Sequence, residues 1–206
     1  MALARKVLLV FLFLLVLLVA ALGVAGLTPA FLLNTPAVGT GIGAKLLCSA
    51  RFVSGFSEEQ GRDDLFQYSP LLELLELETD VSSKSVRADF FGLGSATARY
   101  LPGLGCALEY AGYDVLEQLE TQVLNPRDAI WPAGDRVNTI DPGVQGLLEE
   151  LVAADNSAGL NTRALLVVQD GEIKAEAYAQ NADQRSPLLG WSMAKSLTSI
   201  MLGNLE

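Results

Sequence analysis

Gly190-Trp191-Ser192-Met193-Ala194-Lys195-Ser196-Leu197-Thr198-Ser199 places a serine three residues before a lysine, at what reads as the start of an amphipathic helix. Positions i and i+3 share a helix face, so the Ser192 hydroxyl can meet the Lys195 amine. Such a pair can act as nucleophile and base without histidine. The chain has no histidine, so a Ser-His-Asp triad and every His-ligated metal site are excluded within it. Taken alone, the four letters more readily describe a surface helix with a capping serine and a solvated lysine. The surrounding sequence decides between the two.

Immediately upstream the pattern is ordered. Ala164–Val168 (ALLVV) reads as a buried strand, Asp170-Gly171 as a hairpin turn, and Glu172–Ala179 as an alternating, half-buried strand. A loop with Pro187 and Gly190 follows. Before the hairpin, Asp141-Pro142 is a helix start, with Asp141 as N-cap and Pro142 in the first turn. Leu147, Leu148, Leu151 and Val152 repeat at helical spacing. Asp128–Pro142 is turn-rich and marks a boundary.

The stretch Ala164-Leu-Leu-Val-Val-Gln-Asp-Gly-Glu-Ile-Lys-Ala-Glu-Ala-Tyr178, then Pro187-Leu-Leu-Gly-Trp-Ser-Met-Ala-Lys-Ser196, resembles the β-lactamase-related serine hydrolases. Ser-x-x-Lys is a signature of that group. It is most similar to the class C-type branch with the 6-aminohexanoate-dimer hydrolases and related esterases. The resemblance covers roughly residues 130–206, with Trp131-Pro132-Ala133-Gly134 as a lead-in. Tyr100-Leu-Pro-Gly-Leu-Gly-Cys106 is less specifically similar to N-terminal extensions of some members.

The resemblance implies Ser192 as acyl-accepting nucleophile and Lys195 as its base, with no cofactor. A lysine amine serves as a base only when burial disfavours its charged form. Met193, Leu197, Ile200 and Met201 are the side chains expected to bury it, and the Ser192 N–H at the helix start is a candidate oxyanion donor. The family also uses a Tyr-x-Asn motif and a His- or Lys-x-Gly motif. None of Tyr68, Tyr100, Tyr110, Tyr113 and Tyr178 has an asparagine two residues on. The chain therefore reads as an N-terminal fragment of such an enzyme, not expected to turn over substrate by itself.

Val7–Leu27 is an uncharged apolar run, long enough to cross a hydrocarbon core of about 30 Å. Arg5 and Lys6 precede it and no Lys or Arg follows until Lys45, so the remainder faces outward. Gly23-Val24-Ala25 would suit a signal peptidase, but the run is longer than a signal core and favours a retained single-pass anchor. The place this implies is a bacterial inner membrane, with the body in the periplasm or outside.

Cys48 and Cys106 are the two cysteines. In an oxidising compartment they could pair; otherwise each is a small hydrophobe. Gly39–Lys45 lacks P-loop spacing and a preceding strand, so nucleotide binding is not expected. The net charge of −10 argues against nucleic acid as a partner.

The expected fold is α+β, the N-terminal part of a β-lactamase/penicillin-binding-protein-like fold. It divides into an anchor or uncleaved signal at 1–27, a linker at 28–44, an extension of mixed helix and strand at 45–129, and the β-lactamase-related start at 130–206. The expected partners are a small-molecule amide, β-lactam or ester substrate, and the membrane through the N-terminal helix. The competing reading is an exported, membrane-anchored, non-catalytic binding or structural module.

Overall fold

A computed structural model describes residues 2–24, 26, 29–110, 114–119, 127–138, 140–179 and 181–203. Ala25, Leu27 and Thr28, hence the cleavage candidate and the end of the apolar run, lie outside the described residues, as does Tyr113. The fold is α+β. Its elements are α1 (Ala2–Val24), α2 (Pro29–Phe52), α3 (Glu58–Tyr68), a 3-10 turn (Pro70–Leu74), β1 (Glu76–Asp80), β2 (Ser85–Asp89), β3 (Ser95–Leu101), β4 (Gly105–Leu108), α4 (Asp114–Glu117), α5 (Pro142–Ser157), β5 (Ala164–Gln169), β6 (Glu172–Tyr178) and α6 (Met193–Gly203).

Within α1, Arg5–Val24 is long and apolar enough to cross a membrane, as a span or as a signal. Together with the disulfide described below, it indicates export or membrane anchoring.

The expected linker at 28–44 is instead the first two-thirds of α2. Gly, Pro and Thr are poor helix formers, and Pro36 removes one helical hydrogen bond. Packing overrides both. Thr40, Ala44, Leu47 and Cys48 are completely buried at a helical repeat, and the Thr40 hydroxyl donates to Pro36 O at 2.9 Å. The strands β1–β4 form an antiparallel meander in sequential order. Its register puts Leu77 opposite Ala88, Val86 opposite Ala98, and Tyr100 opposite Cys106, so one face carries the apolar side chains. α2 crosses that face. The small residues of α2 permit the approach: a Cβ on Gly43 would run into Leu75.

Leu47, Leu65 and Val86 are essentially fully buried in this core, each worth about 1.5–3 kcal/mol. Glu76–Asp80 supplies the edge strand of this sheet. Cys48 and Cys106 form a disulfide tying α2 to β4. Lys45 Nζ donates to Cys106 O beside it.

In the β1–β2 turn, Asp80 Oδ1 accepts from the Ser82 hydroxyl at 2.6 Å and the Ser82 N–H at 2.8 Å. These bonds, the Ser82 hydroxyl first and then those from Ser83, hold the carboxyl down at about 2. A lowered folded value means that the turn's contribution is present above the ordinary 3.8 and lost as pH falls through about 2. A carboxyl NMR titration of Asp80 is expected to show a midpoint near 2. A midpoint at the ordinary value would mean that these bonds do not persist in solution.

The second unit is α5 on the β5–β6 hairpin. Asp141 caps α5, its Oδ1 accepting from Gly143 N at 2.8 Å and Val144 N at 3.2 Å, with Pro142 in the first turn. Leu148 and Val152 face the hairpin and are buried, while Leu147 and Leu151 are exposed. The turn is Asp170-Gly171, both at positive φ. Ile173, Ala175 and Ala177 alternate inward along β6. β5 is not the buried strand its composition predicts, since Leu166 and Val168 are exposed. α5 covers one face of the hairpin only, and these two side chains point to the other. Gln145 seals the outer edge of β6, donating to Glu176 O and accepting from Glu176 N, which blunts a pairing edge.

The two units meet at Arg163, which pairs with Asp64 at 2.8 Å and lies over the Phe56 ring. Between them, the 127–136 loop closes on Gly134. A Cβ there would sit 2.5 Å from Ala129 O and Arg127 O, backbone atoms that cannot turn aside. Gly134→Ala is expected to cost about 1–3 kcal/mol and to open this loop to protease. Unchanged proteolysis at 127–138 would contradict that.

Candidate active site

The segment that delivers Ser192 is held against the N-terminal unit. The Ser54 hydroxyl donates to Pro187 O at 2.7 Å. The Trp191 ring stacks on Tyr68, with centroids 4.9 Å apart and planes at 15°. Trp191 has φ +41°, a left-handed conformation rare for a bulky side chain. Such a conformation costs on the order of 1–3 kcal/mol; the Tyr68 stack is a contact that the Trp191 ring makes here.

The chain then turns directly into α6. Met193 N–H donates to Gly190 O at 2.8 Å and Lys195 N–H to Ser192 O at 3.0 Å. Ser192 thus stands one residue ahead of α6. Its Oγ lies 2.9 Å from Lys195 Nζ, which donates to it. The two side chains meet on one face, as their spacing predicts.

The burial expected of this pair is absent. Ser192 and Lys195 are both exposed, and so are Met193, Leu197, Ile200 and Met201. No described residue of α6 is buried. A helix buries its apolar stripe only when another element lies across it, and among the described residues α6 carries no such cover.

A cleft of about 460 Å³ lies between α2, α3 and the Leu188–Trp191 segment; Trp191 lines it, Ser192 and Lys195 do not. Phe56, Leu65, Tyr68, Leu160, Leu189 and Trp191 make it apolar, and the Asp64–Arg163 ion pair supplies polar groups. That size and mix suit a small organic molecule. A second, polar groove of about 560 Å³ runs between α3, α5 and the end of β6. Tyr178 lines it and donates to Glu176 Oε2 at 2.8 Å. Burial first, then that bond, pushes the phenol up to about 12. Tyr178 is therefore a hydrogen-bond donor at neutral pH and no base.

Sequence reasoning missed the cleft and the Tyr68–Trp191 stack. The local signal was an aromatic directly before the serine, preceded by Leu188-Leu189. No spacing rule links residue 68 to residue 191. No protein-family model, curated protein or solved structure matches the chain.

Proposed function

We propose that the protein is a membrane-anchored serine hydrolase of amide, β-lactam or ester bonds, acting through an acyl-enzyme on Ser192 with Lys195 as base. The carrying observation is the 2.9 Å approach of Lys195 Nζ to Ser192 Oγ at the head of α6. The strand–turn–strand–helix order of β5, β6 and α6 supports a β-lactamase/penicillin-binding-protein-like domain beginning near residue 130. The Arg5/Lys6 flank and the disulfide support a body on the periplasmic side of a bacterial inner membrane.

In this reaction the neutral Lys195 amine takes the Ser192 proton as Oγ attacks the carbonyl carbon. The leaving amine or alkoxide receives that proton as its bond to carbon breaks. Water then attacks the acyl carbon, and Oγ regains a proton. An apolar substrate group suits the cleft lined by Tyr68, Leu189 and Trp191.

A fluorophosphonate or penicillin probe applied to a full-length version with the two further motifs, in its own membrane, is expected to label Ser192, found by peptide mapping. Labelling that survives Ser192→Ala overturns the reading. The exposure of α6 favours a second reading, an exported anchored module that binds without catalysis. Absence of any label in disulfide-intact protein, with ligand still bound in the cleft, would select it.

A further inference from the structure

We propose that the α1 end of the α2–meander body seats directly on the lipid surface that α1 enters, through a rim of exposed apolar side chains. The inference rests on reading α1 as a retained span and is independent of the chemistry at Ser192.

The connection from α1 to α2 is short. Five residue steps from Val24 to Pro29 reach at most about 18 Å, so α2 starts close to the end of the apolar helix. Gly26 within that connection has φ +78° and lets the chain change direction. The body therefore has little freedom to stand away from the bilayer.

The same end of the body collects apolar side chains. Gly94 packs against Pro36 and Ala37, which pins the β2–β3 turn to the early part of α2. That turn exposes Phe91 at 73% and Leu93 at 73%. Phe91 lies edge-on to Phe90, and Phe90 lines an apolar groove of about 370 Å³ with Pro36, Val38, Leu71 and Leu74. Leu71 is 74% exposed, and Leu33, earlier on α2, is 80% exposed. A lone exposed leucine carries no meaning, but a contiguous apolar patch marks an interaction surface.

The opposite end of the meander differs. The β1–β2 turn there has one exposed apolar side chain, Val81, among Asp80, Ser82, Ser83 and Lys84. The β3–β4 turn at that far end adds Leu104, 45% exposed, so exposed apolar side chains are concentrated at the anchor end without being confined to it. Glu73, Glu76 and Asp89 also lie at that end, so attraction to anionic headgroups does not drive the contact. Insertion of Leu71, Phe91 and Leu93 into a zwitterionic interface does, with each buried CH₂ adding to the hold.

The test uses the whole chain in phosphatidylcholine vesicles, with Phe91→Cys or Leu71→Cys carrying an environment-sensitive fluorophore and Val81→Cys as the far-end control. The Cys48–Cys106 bond is kept intact. Labels at 71 and 91 are expected to blue-shift, to be quenched by headgroup-proximal nitroxide lipid, and to resist iodide several-fold better than the label at 81. Equal iodide access at all three sites, in protein that survives alkaline carbonate extraction, overturns the seat while leaving the anchor in place. Shielding from iodide without lipid quenching points to a second copy of the chain and also overturns it. Release of intact, uncleaved protein by carbonate overturns the anchor and the seat together.

Discussion

In a full-length version that carries the Tyr-x-Asn and His- or Lys-x-Gly motifs, Ser192→Ala is expected to abolish turnover on the acyl-enzyme reading, a loss on the order of 10⁶-fold. Among the described residues, Ser192 is the hydroxyl hydrogen-bonded to the Lys195 amine. Lys195→Ala is expected to cost nearly as much, because nucleophile and base act as one unit. Lys195→Arg is expected not to rescue, since a guanidinium stays protonated and cannot accept the serine proton. The measurement is kcat/KM on a chromogenic ester or penicillin with that full-length version in membranes. Activity that survives Ser192→Ala, or recovers in Lys195→Arg, would remove Ser192 or Lys195 from the chemistry. Both side chains are exposed, so none of these variants disturbs the core and folding does not confound the comparison.

Reducing the Cys48–Cys106 bond is expected to produce the largest change in stability. It closes a loop with a sequence separation of 58, worth roughly 4 kcal/mol by constraint of the unfolded chain. For a body of this size that lowers the thermal midpoint by roughly 10 °C. Both cysteines are buried, Cys48 completely, and the bond joins the central helix to the last meander strand. Its loss therefore frees β4 and the Lys45 contact with it. Thermal unfolding of the whole chain in detergent, with and without reductant, checks this, and Cys48→Ala/Cys106→Ala should match the reduced protein. A shift of under about 2 °C would show that the meander holds without the bond.

The elements most legible in the sequence are those whose signals are local. Asp141-Pro142 names its own helix start because an aspartate oxygen satisfies free N–H groups next to it. Asp170-Gly171 names the hairpin because its two positive φ values suit those two residues. Ser192 and Lys195 meet because a helix turn alone brings positions three apart together. The run through Val24 reads as one apolar helix because nothing in it asks for water.

Signals that depend on distant residues read wrongly or not at all. Gly39, Gly41 and Gly43 resemble a linker in sequence; only once the sheet packs against Gly43 does its missing side chain become a reason that α2 can lie there. The buried repeat Thr40, Ala44, Leu47 and Cys48 was present at helical spacing, but Pro36 and the glycines outweighed it in a local reading. Leu77 carries no local sign of its strand, because the edge strand it belongs to is defined by its partner, Ala88. Leu166 and Val168 looked buried because composition cannot say that α5 covers one face of the hairpin alone.

By itself the sequence determined an apolar N-terminal helix, a capped helix and hairpin in the second half, and a serine and lysine within reach of each other. Each follows from interactions spanning a few residues. Only the tertiary structure decided that the two cysteines join, that the expected linker is the core helix, that Trp191 rests on Tyr68, and that the serine helix is uncovered. These depend on which surfaces meet across large separations in the chain, and burial is a property of that meeting.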